Sequence, residues 1–323
     1  MTPLIVENLL SPPVLFFTFG VLAAALGSGL NLPKALSESL TIFLLIAIGY
    51  KGGIALAEYG IPSGAWILLL AGALLSLLLP VAGYFALRRL TNLSPPDAAV
   101  TAAHYGSVSV VTFMAAVTYV QLHQQEYSGH MVAMLVIMEI PAVLSGIWIA
   151  RRVLPKQDDS AVSNPPSSSV FINASILLLL GSLIIGVIAQ GETRDQLKDF
   201  LIEPLLGVLC LFLLGMGLKA GRQISALRSS GWGLLFFGIA MPLFSGFLAL
   251  AIAVGLQASV ADTTLFAVLA ASASYIVVPA AMQMAVPQAN SELGTSLSIG
   301  VTFPFNIIVG IPLFFTVASA LSA

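Results

Sequence analysis

Apolar runs of about 20 residues, the length a helix needs to cross a hydrocarbon core roughly 30 Å thick, recur along almost the whole chain. Ten segments are legible, at about 12–31, 37–57, 63–89, 96–121, 127–152, 169–190, 200–221, 231–256, 262–287 and 291–321. Turn chemistry separates them, as in LNLPK (30–34), EYGIPSG (58–64) and LSPPD (93–97). The runs are continuous rather than alternating, which argues against a transmembrane barrel. Only 8% of the 323 residues are charged, against roughly 25% in a soluble domain. A soluble fold would have too little polar surface to cover it. The expected fold is therefore all-α and polytopic, with about ten transmembrane helices.

One connector is long and polar, LPKQDDSAVSNPPSSS (154–169), and it reads as a flexible cytoplasmic linker over 154–168. It divides the chain into a first five-helix unit (1–153) and a second (169–323). With the N-terminus outside, nine basic residues fall on the cytoplasmic side (Lys34, Arg88, Arg89, Arg151, Arg152, Lys156, Lys219, Arg222 and Arg228). Only Lys51, Arg194 and Lys198 then fall outside. The positive-inside bias places both termini outside, in a bacterial cytoplasmic membrane. MTPLIVENLL has no basic n-region and no small-residue cleavage pattern, so Ser11 onward reads as a first span rather than a removed signal. A net charge of −2 gives no sign of nucleic-acid binding, and the single cysteine, Cys210, excludes an internal disulfide.

The two units resemble each other. IGYKGG (48–53) matches MGLKAG (216–221), offset by 168. DAAVTAAHYGSVS (97–109) matches DTTLFAVLAASAS (262–274), pairing Asp97 with Asp262, Ser107 with Ser272 and Ser109 with Ser274 at an offset of 165. EIPAV (139–143) lies opposite TFPFN (302–306), with Pro141 and Pro304 offset by 163. Because each unit has an odd number of spans, the second enters the membrane from the opposite side. Inverted repeats of this kind underlie many secondary transporters.

The fourth and ninth spans are interrupted. Pro279 follows SASYIVV. A proline suits the first turn of a new helix and not an interior, so 262–273 and 279–287 read as half-helices. Gly106 and the Ser/Val/Thr-rich stretch after it mark the equivalent break, with halves at 96–106 and 112–121. Unwound backbone in a membrane is tolerated only inside protein or beside water. There, half-helix N-termini offer free N–H groups to an anion, and hydroxyls serve as donors or as cation ligands. Membrane serines also bond back to a carbonyl one turn earlier, but five hydroxyls at two repeat-related breaks favour a ligand role. Glu139, inside the fifth span, is costly to bury unless it binds a cation or a proton. Thr302 and Asn306 on the repeat-equivalent helix add neutral oxygens. His104 reads as a hydrogen-bonded structural residue or a proton shuttle. Lys51 and Lys219 read as snorkelling at helix ends. No nucleotide loop, nucleophile–base pair or metal-ligand spacing occurs, so neither an enzyme nor a bound cofactor is expected.

GSVSVVTFMAA, EIPAV, AASASYIVVPAAM and GVTFPFNIIVGIPLF resemble the sodium-dependent bicarbonate permease family known from cyanobacteria. The resemblance implies Na⁺-coupled bicarbonate symport. It also implies a core domain, here about 63–152 and 231–321, carrying the crossed broken helices beside a gate domain, here about 12–57 and 169–221. The chain departs from that pattern with Tyr275, where the family has an acid, and with Val110 and Val111, where it has a Gly-Ser pair. The candidate anion site is Gly106, Ser107, Ser109, Thr112, Ser272, Ser274 and Tyr275. The candidate Na⁺ site is Glu139, Ser109, Thr302 and Asn306. The expected partners are bicarbonate or another small anion, Na⁺ as coupling ion and the lipid bilayer; a homo-oligomer is compatible with the sequence. Alternatives are a proton-coupled carrier of another small carboxylate and a membrane sensor that binds without translocating.

Overall fold

Every regular element is helical among the residues that the computed structural model describes, which are 9–60, 64–154, 174–189, 196–227, 231–286 and 288–321. They form α1 (Pro12–Ala25), α2 (Lys34–Tyr59), α3 (Ala65–Leu90), α4 (Pro95–His104), α5 (Val110–Leu122) and α6 (His130–Val153). A second series follows: α7 (Ala174–Ile188), α8 (Leu205–Leu227), α9 (Trp232–Gly255), α10 (Val260–Ala271), α11 (Val277–Ala285) and α12 (Glu292–Leu321). Six of these helices are long and apolar enough to cross a membrane. The expected linker at 154–168 lies outside the described residues except for Leu154.

Boundaries follow local chemistry. Ser94 caps α4 by accepting from the Asp97 N–H at 3.2 Å, and Ser259 caps α10 by accepting from the Asp262 N–H at 3.1 Å. The first helix ends at Ala25, six residues before the expected end of its run. Gly27 and Gly29 adopt φ of 66° and 68°, and the Ser28 N–H closes the end by donating to the Ala23 carbonyl at 3.1 Å. In α12, π-type turns at Ser298–Thr302 and Asn306–Gly310 lie just ahead of Pro304 and Pro312. A proline lacks the N–H that would continue the ladder, so the helix widens there and does not stop.

Packing exchanges partners between the two series: α1 lies along α8, and α2 along α7. Glycines permit both approaches. A side chain at Gly20 would strike the Leu214 carbonyl of α8, and one at Gly217 the Phe17 carbonyl of α1. Likewise Gly53 abuts the Leu183 carbonyl of α7, and Gly186 the Tyr50 carbonyl of α2. The repeated Gly-x-Lys-x-Gly therefore marks small-residue helix contacts, the usual means of close packing in membranes. Lys219, between two of these glycines, is exposed.

The other helices surround the two breaks. α3 packs on α6 and α4, α9 on α10, and α12 on α8 and α10. Ala99, Val100 and Ala103 of α4, Val143 and Ile147 of α6, and Val278 and Met282 of α11 form a small apolar cluster of their own. It holds the short helix α11 against two longer elements.

Candidate functional site

The first break, at residues 105–109, separates α4 from α5. Gly106 is pressed against α3. A Cβ there would overlap the Pro80 ring and come within 2.8 Å of the Ser76 carbonyl oxygen. Ser109, at φ −108° and ψ 112°, restarts the helix by accepting from the Thr112 N–H at 3.3 Å. The second break, at 272–276, separates α10 from α11. Ser272 ends α10 in extended backbone and donates its hydroxyl to the Leu269 carbonyl at 2.7 Å. α11 begins at Val277, two residues before Pro279. First-turn N–H groups have no partner within the helix, so a proline anywhere in that turn costs no hydrogen bond.

Hydrogen bonds stitch the two breaks together. The Ser109 N–H donates to the Ser272 hydroxyl at 2.9 Å. The Ser274 N–H donates to the His104 carbonyl at 2.9 Å, while the His104 ring nitrogen Nδ1 lies 2.6 Å from the Ser274 carbonyl. A carbonyl cannot donate, so His104 carries its proton on Nδ1. One residue thus clasps Ser274 at both backbone groups. Asn306 donates from Nδ2 to the Ala271 carbonyl at 2.7 Å, satisfying an end-of-helix acceptor of α10.

Where the breaks meet, the structure has a small open-mouthed cleft. Val108, Ser109, Val110 and Val111 line one side, Ser274, Tyr275, Ile276 and Val277 the other, and Glu139 of α6 completes it. The first turns of α5 and α11 both reach this cleft. Each brings first-turn N–H groups that have no acceptor within their own helix and about half a positive charge. Glu139 is buried, and among the described residues no basic side chain pairs with it. The Tyr275 hydroxyl is buried beside Ser109.

Of the residues expected from sequence, Ser109, Ser274, Tyr275 and Glu139 are brought together on this cleft. Gly106 makes a close contact with α3. Ser107 is buried, its hydroxyl unpartnered among the described residues, and does not line the cleft; nor does Thr112, whose N–H is taken by the cap. Ser272 acts through its tie to Ser109. Thr302 and Asn306 do not line the cleft either. The Thr302 hydroxyl accepts from the Tyr105 hydroxyl at 2.7 Å and donates to the Gly238 carbonyl at 2.8 Å. The Asn306 Oδ1, unpartnered among the described residues, is turned toward Gly310.

Two residues matter in a way that the sequence pairing flagged without explaining. Asp262, at the start of α10, accepts from the Ser128 N–H at 2.8 Å and the Ser128 hydroxyl at 2.7 Å, just before α6. Asp97, at the start of α4, accepts from the Asn290 N–H at 2.8 Å, just before α12. Each broken helix is tied at its start to the loop that leads into the last helix of the other series.

No individual curated protein matched the chain. A family model, the Na⁺-dependent bicarbonate transporter superfamily, matches residues 12–319. With that match over nearly all its length and six helices long enough to span a bilayer, the chain is a multi-pass membrane protein and belongs to the Na⁺-dependent bicarbonate transporter superfamily.

Proposed function

We propose that the protein is a Na⁺-coupled bicarbonate symporter working by alternating access. The carrying observation is a carboxylate, Glu139, on the same cleft as two helix N-termini. Helix ends and hydroxyls suit an anion, whereas Glu139 repels one by roughly 3 kcal/mol at about 5 Å and an effective dielectric near 20. A Na⁺ ion between carboxylate and substrate removes that repulsion and adds an attraction to each. Either ion then binds better once the other is present, the reciprocity that coupled transport requires. Bicarbonate, small and singly charged with acceptors around its rim, suits Ser109, Ser274 and the first N–H groups of α5 and α11. Tyr275 adds a phenolic donor.

The architecture we infer is ten spans in two inverted repeats, α4 with α5 and α10 with α11 being the interrupted ones. The paired Ser-x-x-Asp caps, the exchanged aspartate ties and the reciprocal glycine contacts support it. We assign α1, α2, α7 and α8 to the gate and the remaining helices to a core that carries the cleft across, with both termini outside in a bacterial cytoplasmic membrane.

The test is uptake of radiolabelled bicarbonate into proteoliposomes. An inward Na⁺ gradient drives accumulation, and replacing Na⁺ by choline abolishes it. Uptake that ignores Na⁺ but follows a pH gradient overturns the coupling and favours a proton-coupled carrier. Binding of anions with no uptake favours a sensor.

A further inference from the structure

α3 and α6 run parallel, in a register that two contacts fix. Gly72 faces Met134, and the Ser76 hydroxyl donates to the Met138 carbonyl, a constant offset of 62. Extended along both helices, that register sets Arg88 and Arg89 of α3 level with Ala150 and Arg151 of α6. Val81 and Tyr84 pack against the cluster containing Val143, Ile147 and Ala150, so the pairing persists to the ends. Four guanidinium groups, Arg88, Arg89, Arg151 and Arg152, thus gather at one end of two adjacent helices. All four are exposed, and none forms an ion pair among the described residues. Arg88 donates to the Leu93 carbonyl.

What lies next to them distinguishes the cluster from a merely solvated charge run. The Arg152 guanidinium stacks over the Trp148 ring at 4.3 Å from its centroid. Trp148 is 52% exposed, and Leu144, one turn further along the same face, is 45% exposed. On α3, Phe85 stands one turn before Arg89 and is 54% exposed. Going from helix end to helix middle, each exposed face passes from arginine to aromatic, and on α6 to leucine. That is the order of a phospholipid: anionic headgroup, ester-level interface, acyl chain.

We propose that the α3–α6 end is a binding site for an anionic phospholipid, its phosphate held by Arg151, Arg152 and Arg89 and its chains lying against Trp148, Leu144 and Phe85. A free phosphate would use only the arginines. The exposed apolar steps beneath them commit the site to a lipid. The stack on Trp148 orients the Arg152 fork, which a bidentate phosphate contact requires.

Native mass spectrometry of the protein in neutral detergent, titrated with dioleoylphosphatidylglycerol or dioleoylphosphatidylcholine, tests this. Wild type retains the anionic lipid selectively and melts about 2–4 °C higher with it. At about fivefold per arginine, Arg151→Gln/Arg152→Gln weakens retention roughly 25-fold. Trp148→Leu weakens it to a lesser degree, and the exposed control Lys219→Gln leaves it unchanged. Arg89→Gln is the second variant should the double variant not fold, and a loss of about fivefold is expected. Equal retention of both lipids, an equal loss in Lys219→Gln, no loss in Arg89→Gln, or full displacement by glycerol phosphate alone would each overturn the assignment.

Discussion

At the residue scale, the cleft residues divide into those that face a ligand and those that hold the backbone for it. Ser109 does both, since it lines the cleft and caps α5. Ser109→Ala therefore costs about 1 kcal/mol of stability from the lost cap, and it also abolishes anion-dependent thermal stabilisation. Ser272→Ala leaves the Ser109 N–H without its acceptor in a buried place, which costs about 1–3 kcal/mol. Gly106→Ala forces the first break away from Pro80 and Ser76 and costs about 1–3 kcal/mol as overpacking. Thermal unfolding in detergent, with and without bicarbonate, separates these variants: Gly106→Ala lowers both curves together, while Ser109→Ala also closes the gap between them. Glu139→Gln keeps the shape and removes the charge. Its uptake loses the dependence on Na⁺, whereas a purely structural Glu139 would leave that dependence intact.

At the element scale, position along the chain was easier to read than partnership. Both breaks fall close to where the sequence places them, because glycine, serine and proline act on their own neighbours. The residues that tie the breaks together are not local. His104 reaches Ser274 and Ser109 reaches Ser272, 170 and 163 positions away, and no periodicity encodes such pairs. Thr302 and Asn306 illustrate the same limit. Neutral oxygens suit cation ligands, and the partners these side chains have in the fold, Gly238, Tyr105 and Ala271, are not legible in the pattern. The paired aspartates were visible as a repeat, and their exchange between series was not. Asp262→Ala removes two bonds to a carboxylate and is expected to cost about 1.5–3 kcal/mol or more in thermal unfolding. Asp97→Ala also removes two bonds to a carboxylate, from the Asn290 N–H and the Ser94 hydroxyl, but these are exposed where Asp262 is buried, so it costs less. Equal effects would mean that both ends are secured by packing instead.

At the scale of the whole molecule, transport needs the proposed gate and core to separate along one face at a time. On one face the Ser296 hydroxyl of α12 donates to Gln223 of α8 at 2.8 Å, a polar contact across that boundary. Elsewhere on the boundary, α1, α8, α5 and α12 border a small cleft lined by Val14, Leu213, Ala115, Thr118 and Ile311, among others. Ser11 and Leu122 at its rim begin α1 and end α5, whereas Gln223 and Ser296 lie near the end of α8 and the start of α12. The contact and the cleft thus sit toward opposite ends of the helices. If the core slides against the gate, Gln223 and Ser296 must part in every cycle. In a Cys210→Ser background, which leaves no native thiol, Gln223→Cys/Ser296→Cys treated with a short thiol cross-linker should lose nearly all bicarbonate uptake while still binding the anion. The same protein joined through a reducible linker recovers uptake when the linker is cut. Uptake that continues while mass spectrometry shows the link complete would mean that this boundary does not move, and the division into gate and core would have to be redrawn.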